Sequence, residues 1–216
     1  MNTLNTIPRP FVYLVDSPSN QDLYSGYSIG MALRDALNSI NIPCIYRLAT
    51  NSEMFNFSMN QGLSEAINQF QTQPNVHSYP FIHFCSHGNP DGIALTNADF
   101  INWQQLRQSL MNHNIVKGYN PYICMASCNG FDATKMVNAF DSVFNLLIGN
   151  TGVVLQSDLT VGYLSFYNHF FYKQATFDQA VQAMRVASGD HNFFYTIGED
   201  VKNQILAQVN PPQPCI

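Results

Sequence analysis

An α/β fold with a mainly parallel sheet is what this sequence predicts, on three observations. Short strand-type runs alternate with segments of helical period along the chain. Several of the runs are continuously apolar, as strands buried on both faces are. Charged residues are only 11% of the 216, under half the usual share, while hydrophobic residues are 46% and aromatics 13%, which favours a packed core over disorder. At this length one domain is expected, over 1–210. The Pro-rich tail over 211–216 can join neither a helix nor a sheet interior.

The first strand is predicted at Phe11–Val15, a continuous apolar run. Tyr27–Ile40 follows as a helix, with Ile29, Leu33, Ala36, Leu37 and Ile40 on one stripe. Cys44–Leu48 reads as the second strand, and Leu63, Ile67 and Phe70 place a helix over Asn60–Gln71. The third strand, Phe81–Cys85, ends in Ser86-His87-Gly88-Asn89. A turn at Asp91-Gly92 leads into Ile93–Leu95, one side of a small hairpin. Asn102-Trp103-Gln104-Gln105 is a capping-box variant opening a helix with Trp103, Leu106 and Leu110 inward.

The fourth strand, Tyr122–Ala126, ends in Ser127-Cys128-Asn129-Gly130. A helix carrying Met136, Val137 and Phe140, a strand at Asn145–Ile148 and a short strand at Val153–Gln156 come next. Two or three helices complete the chain, one capped at Thr176 with Gln179. Strands alternating with helices imply right-handed crossovers, and ligands then sit at the carboxyl ends of the strands. His87 and Cys128 both fall just past such ends.

Composition narrows the function. Nine Lys+Arg against 14 Asp+Glu give a net charge of −5, which disfavours a nucleic-acid or anionic-membrane partner. No apolar stretch approaches the length of a membrane span, and the start has no basic-then-apolar run of secretory type. Five cysteines, an odd number in a chain this long, argue against a disulfide framework. A reduced, cytoplasmic protein is expected.

Cys128 and His87 suit nucleophilic catalysis. The thiolate is the nucleophile, and a nearby imidazole both activates it and later protonates the leaving amine. Backbone N–H groups in a glycine-bearing loop supply donors for the oxyanion. Neighbouring parallel strands lie about 4.8 Å apart, so side chains just past them can meet.

The blocks Phe81-Ile82-His83-Phe84-Cys85-Ser86-His87-Gly88 and Tyr122-Ile123-Cys124-Met125-Ala126-Ser127-Cys128, with His87 and Cys128 41 residues apart, resemble the His-Gly and Cys signatures of caspase-like (clan CD) cysteine peptidases. Asp91-Gly92-Ile93-Ala94-Leu95 and Trp103-Gln104-Gln105-Leu106 resemble the bacterial CHAT branch, related to separase. The resemblance covers about Phe81–Gly130. It implies a three-layer α/β/α sandwich of caspase-like topology and a cysteine endopeptidase acting through an acyl-thioester, with no metal or organic cofactor. Cys128 would be the nucleophile and His87 the acid/base, with the N–H groups of Gly88 and Cys128 holding the oxyanion. Ala126 stands where caspases have Gln and metacaspases Asp, so neither specificity pocket carries over.

Asp158 is the nearest match to an acidic residue after the following strand. If it lines the pocket, its carboxylate favours Arg or Lys before the scissile bond. Asp16, past the first strand, is the second candidate, to line the crevice or orient His87. The implied partners are a specific protein substrate and an activating or regulatory protein, in a bacterial defence or programmed-death setting.

Blander readings accompany these. Cys85 and Cys124 are core thiols, and His83 a hydrogen-bonded core histidine. A zinc site from His83, His87, Cys124 and Cys128 fails, because four residues along a strand span about 13 Å. Phe166, Tyr167, Phe170, Phe171 and Tyr172 form a helix face packed on the sheet, and Asp158 doubles as a helix N-cap. The rival functions are a catalytically silent scaffold of the same fold and a flavodoxin-like binding protein. The latter is disfavoured because Asp16-Ser17-Pro18-Ser19-Asn20 lacks a glycine-rich phosphate cradle.

Overall fold

The first apolar run becomes β1 (Ile7–Ser17), longer at both ends than its predicted centre. The computed structural model that shows it describes residues 7–117 and 120–209, so the tail over 211–216 lies outside the described residues. Pro8 and Pro10 fit in β1 because β2 (Cys44–Leu48) pairs with it only from Val12 to Asp16, leaving one side of each proline without a partner strand. Two helices cross between them, α1 (Asn20–Tyr24) and α2 (Ile29–Ser39). The hydroxyls of Ser19 and Ser28 cap them by accepting from the N–H groups of Asp22 and Met31. The Ser28 cap starts the second helix later than Tyr27.

After β2, α3 (Ser52–Phe57), a π turn (Ser58–Gly62) and α4 (Leu63–Phe70) run without a break, beginning well before the predicted Asn60. β3 (Val76–Asn89) follows and turns into an antiparallel hairpin, β4 (Gly92–Ala94) and β5 (Phe100–Asn102). α5 (Trp103–Lys117) opens on the expected box: Gln105 N–H donates to Asn102 Oδ1, and Asn102 N–H donates to Gln105 Oε1, both at 2.9 Å. β6 (Tyr122–Ala126) has the predicted bounds.

Three expectations change in the last third. No helix forms over Val137–Phe140; a 3₁₀ segment (Gly130–Met136) stops there, since Asn138 Oδ1 accepts from the N–H groups of Phe140 and Asp141 and takes the backbone into a turn. β7 (Leu146–Asn150) is followed by no strand at Val153; Val153 and Leu155 are exposed on a loop, and Gln156 begins α6 (Gln156–Tyr172). After α7 (Phe177–Ser188), with its Thr176–Gln179 box, comes a strand the sequence reading omitted, β8 (Phe193–Ile197), and then α8 (Gly198–Val209).

The eight strands form one mixed, mostly parallel sheet. Its order is β2-β1-β3-β6-β7-β8, with β4 on β3 and β5 on β4. Every pair from β2 to β7 along that path is parallel, and β8 closes the edge antiparallel to β7. Alternation along each strand feeds two cores. Phe11, Tyr13, Ile82, Phe84 and Met125 pack with α3, α4 and α5; Val12, Leu14, Phe81, Cys124 and Ile148 pack with α2, α6 and α7. No helix among the described residues is long and apolar enough to cross a membrane.

Candidate active site

Four segments converge at the carboxyl end of the parallel strands: the end of β1 with α1 and the start of α2, the far half of β3, the turn after β6, and the β7–α6 loop. They enclose an open cleft of about 150 Å³, lined among others by Asp16, Asp22, Ser28, His87, Cys128 and Gln156.

The pairing of β3 with β6 ends at Cys85 opposite Ala126. His87 and Cys128 each follow two residues later, and both line the cleft. His87 is not in a loop, as the sequence suggested. β3 leaves its parallel neighbours at Cys85 and Ser86 and continues, with His87 opposite Ala94 and Gly88 opposite Ile93 in the hairpin. Gly88 is what allows the approach. A Cβ there would lie 2.6 Å from the Cys128 carbonyl oxygen and 2.9 Å from Ser127 Cβ, so any side chain would push the two paths apart.

The turn holding Cys128 is fixed by its neighbours. Asn129 takes a left-handed conformation at φ 55°, which asparagine tolerates. Its N–H donates to Gly152 O at 2.9 Å, tying the turn to the β7–α6 loop. Cys128 is half-buried, with Sγ 3.9 Å from Val154 O. His87 is exposed, its side chain 57% accessible. The buried hydroxyls of Ser86 and Ser127 line the cleft and have no hydrogen-bond partner among the described residues.

The other described cysteines, Cys44, Cys85 and Cys124, lie in β2, β3 and β6. Burial pushes the thiols of Cys44 and Cys124 up to about 12 and that of Cys85 well above its ordinary value, so all three remain protonated. His83 is fully buried in β3, its Nδ1 hydrogen-bonded to Tyr167 at 2.8 Å.

Asp16 lines the cleft but spends its carboxyl internally. Ser28 and Tyr46 hydroxyls donate to Oδ2, the latter at 2.8 Å, and Gly30 N–H adds a third bond. Gly30 is needed because its Cα lies against the Asp16 side chain, where a Cβ would collide. Burial raises the Asp16 pKa in spite of those bonds. Asp158 is not among the cleft-lining residues. It sits in the first turn of α6, half-buried, with its carboxylate accepting from Ser157 Oγ at 3.2 Å; Gln156, two residues earlier, reaches the cleft instead.

One site residue went unread in the sequence. Asp22 Oδ2 lies 3.5 Å from His87 Nε2 and accepts from Ser19 Oγ at 2.7 Å and from Gln156 Nε2 at 3.3 Å. The Ser19 hydroxyl, then Gln156 and His87, hold its carboxyl below the ordinary aspartate value. The readable signal was Ser19-x-x-Asp22, a helix-start pattern that puts Asp22 in the first turn of a helix directly after a strand. No protein-family model matches this chain, and no curated protein is similar to it in sequence.

Proposed function

We propose that this protein is a cysteine endopeptidase of caspase-like type, in which Cys128 attacks a peptide carbonyl and His87 carries the proton. The observation that carries the reading is that His87 and Cys128, each two residues past the last β3–β6 pair, line one cleft, with Gly88 packed against the Cys128 carbonyl. The strand order and the two cores on alternate strand residues support a three-layer α/β/α sandwich of caspase-like topology.

The chemistry follows the arrangement. The Cys128 thiol passes its proton to His87, and the thiolate adds to the scissile carbonyl carbon. The backbone N–H groups of Gly88 and Cys128 are assigned to the oxyanion that forms. Its collapse breaks the C–N bond; the amine leaves with the proton from His87, and an acyl-thioester remains on Cys128. Water, deprotonated by His87, then adds to the thioester and releases the new carboxylic acid and the thiol.

With Asp158 outside the lining and the Asp16 carboxyl tied to three internal donors, neither residue supports a preference for Arg or Lys. Ile29, Val154 and Leu159 give the cleft an apolar wall. The substrate is a protein and the regulator a second protein, in the cytoplasm and without a metal or organic cofactor. A bacterial defence or programmed-death setting completes the reading.

A cysteine-reactive peptidyl electrophile tests it. Adduct mapping by mass spectrometry should find label at Cys128, lost in Cys128→Ala and sharply reduced in His87→Ala. Equal labelling of Cys44 or Cys215 would favour the silent scaffold.

A further inference from the structure

We propose that Asp22 is a positioning residue for His87, holding the imidazole by Nε2 so that Nδ1 is the atom presented to Cys128. This rests on the peptidase reading above and adds a third member to its pair. The carboxylate oxygen 3.5 Å from His87 Nε2 is at ion-pair distance.

Two donors from different parts of the chain fix that same oxygen. Ser19 Oγ holds it from the cap of α1, and Gln156 Nε2 reaches it from the start of α6, 134 residues away in sequence. A surface carboxylate held only to shape a five-residue helix needs Ser19 alone. The bridge from α6 makes sense if the oxygen's place in the cleft matters. Asp22 is also only partly exposed, at 24%, whereas the His87 side chain is 57% exposed.

The consequence is electrostatic as well as geometric. With the Nε2 proton directed at the carboxylate, Nδ1 keeps its lone pair for the thiol proton. When that proton arrives, the imidazolium stands between two anions, Asp22 and the Cys128 thiolate, and both favour it. No atom is gained or lost: one proton moves from Sγ to Nδ1. The other titratable groups lining the cleft are Asp16, whose carboxyl faces Ser28 and Tyr46, and Cys85, whose thiol is neutral; Leu159 and Gln156 of α6 bring no charge.

Alkylation of Cys128 by iodoacetamide across pH reads this directly and needs neither substrate nor activator. In Asp22→Asn the rate profile should move about one pH unit upward, a loss of about tenfold near pH 6.5. Asp22→Glu should recover part of the shift, and Gln156→Ala should give a smaller one in the same direction with little effect on melting temperature. If His87→Ala moves the profile and Asp22→Asn leaves it in place, Asp22 has no positioning role although the Cys–His pair stands. If even His87→Ala leaves it in place, the pair itself fails. A third outcome, in which Asp22→Asn raises KM only for substrates with Arg or Lys and leaves alkylation alone, would make Asp22 a substrate-binding group and overturn the assignment.

Discussion

Asp16 and Asp22, six residues apart on one cleft, meet opposite environments. Asp22 is at the mouth, where three donors hold its carboxyl ionised; Asp16 is 1% exposed, and burial outweighs its three donors. Because the folded-state pKa of Asp16 is raised, the folded protein binds a proton more readily than the unfolded chain does. Its contribution therefore worsens as pH rises through the ordinary aspartate value and levels off above the raised one. Asp16→Asn removes that titration, so urea unfolding should show the variant gaining on the wild type between pH 3 and pH 7. A difference that moves the other way would place the carboxyl's stabilising form at high pH. Asp16→Ala should cost about 1–3 kcal/mol at either pH, because the Ser28 and Tyr46 hydroxyls lose their acceptor. Of these residues the sequence marked Asp16 by its place after an apolar run. It left Asp22 hidden in a polar stretch, because what selects Asp22 is a side chain 65 positions on, His87, and another beyond β7, Gln156.

Among the elements, β3 matters most to the site, and its second half was the hardest to read. An apolar run ends at Cys85, so periodicity alone stops the strand there; the polar Ser86-His87-Gly88-Asn89 continues it only because β4 turns back to pair with it. Elements written as a continuous apolar run or a helical stripe, or whose caps are written in side chains, were legible: β6, the α2 stripe, the Asn102 and Thr176 boxes. The helix expected at Met136–Phe140 failed for the converse reason, a local Asn138 turn that competes with it. The β3 extension also makes a mechanical prediction. Gly88→Ala has to displace either the Cys128 carbonyl or Ser127, backbone and β-carbon with no rotamer to yield. A cost of about 1–3 kcal/mol is expected from such overpacking. Electrophile labelling at Cys128 should fall further than that stability loss explains, since the variant would still be folded at the assay temperature. Full labelling with an unchanged melting temperature would mean that the two paths are not in contact.

At the scale of the whole molecule, the sheet's two faces are unlike. On the face covered by α2, α6 and α7, Phe81 is ringed by Tyr122, Phe166, Tyr167 and Phe170, and His83 lies between Tyr163 and Tyr167. The low charge and high aromatic content visible in the composition are spent there, which is why the fold class was legible while the site's third side chain was not. That packing sets a pH limit on the fold. Burial holds the His83 pKa down to about 3 from an ordinary 6.5, so below 6.5 the unfolded chain takes up a proton that the folded protein refuses. Stability is complete above 6.5 and declines as pH falls toward 3, at up to about 1.4 kcal/mol per pH unit. His83→Gln keeps a polar partner for Tyr167 without titrating. Measured by urea unfolding, its stability relative to the wild type should improve by about 2–3 kcal/mol from pH 7 to pH 4.5, the difference cancelling the carboxylates common to both proteins. A constant difference across that range would mean that His83 is hydrated enough to charge in the folded protein, and that the core beneath the sheet is looser than its packing implies.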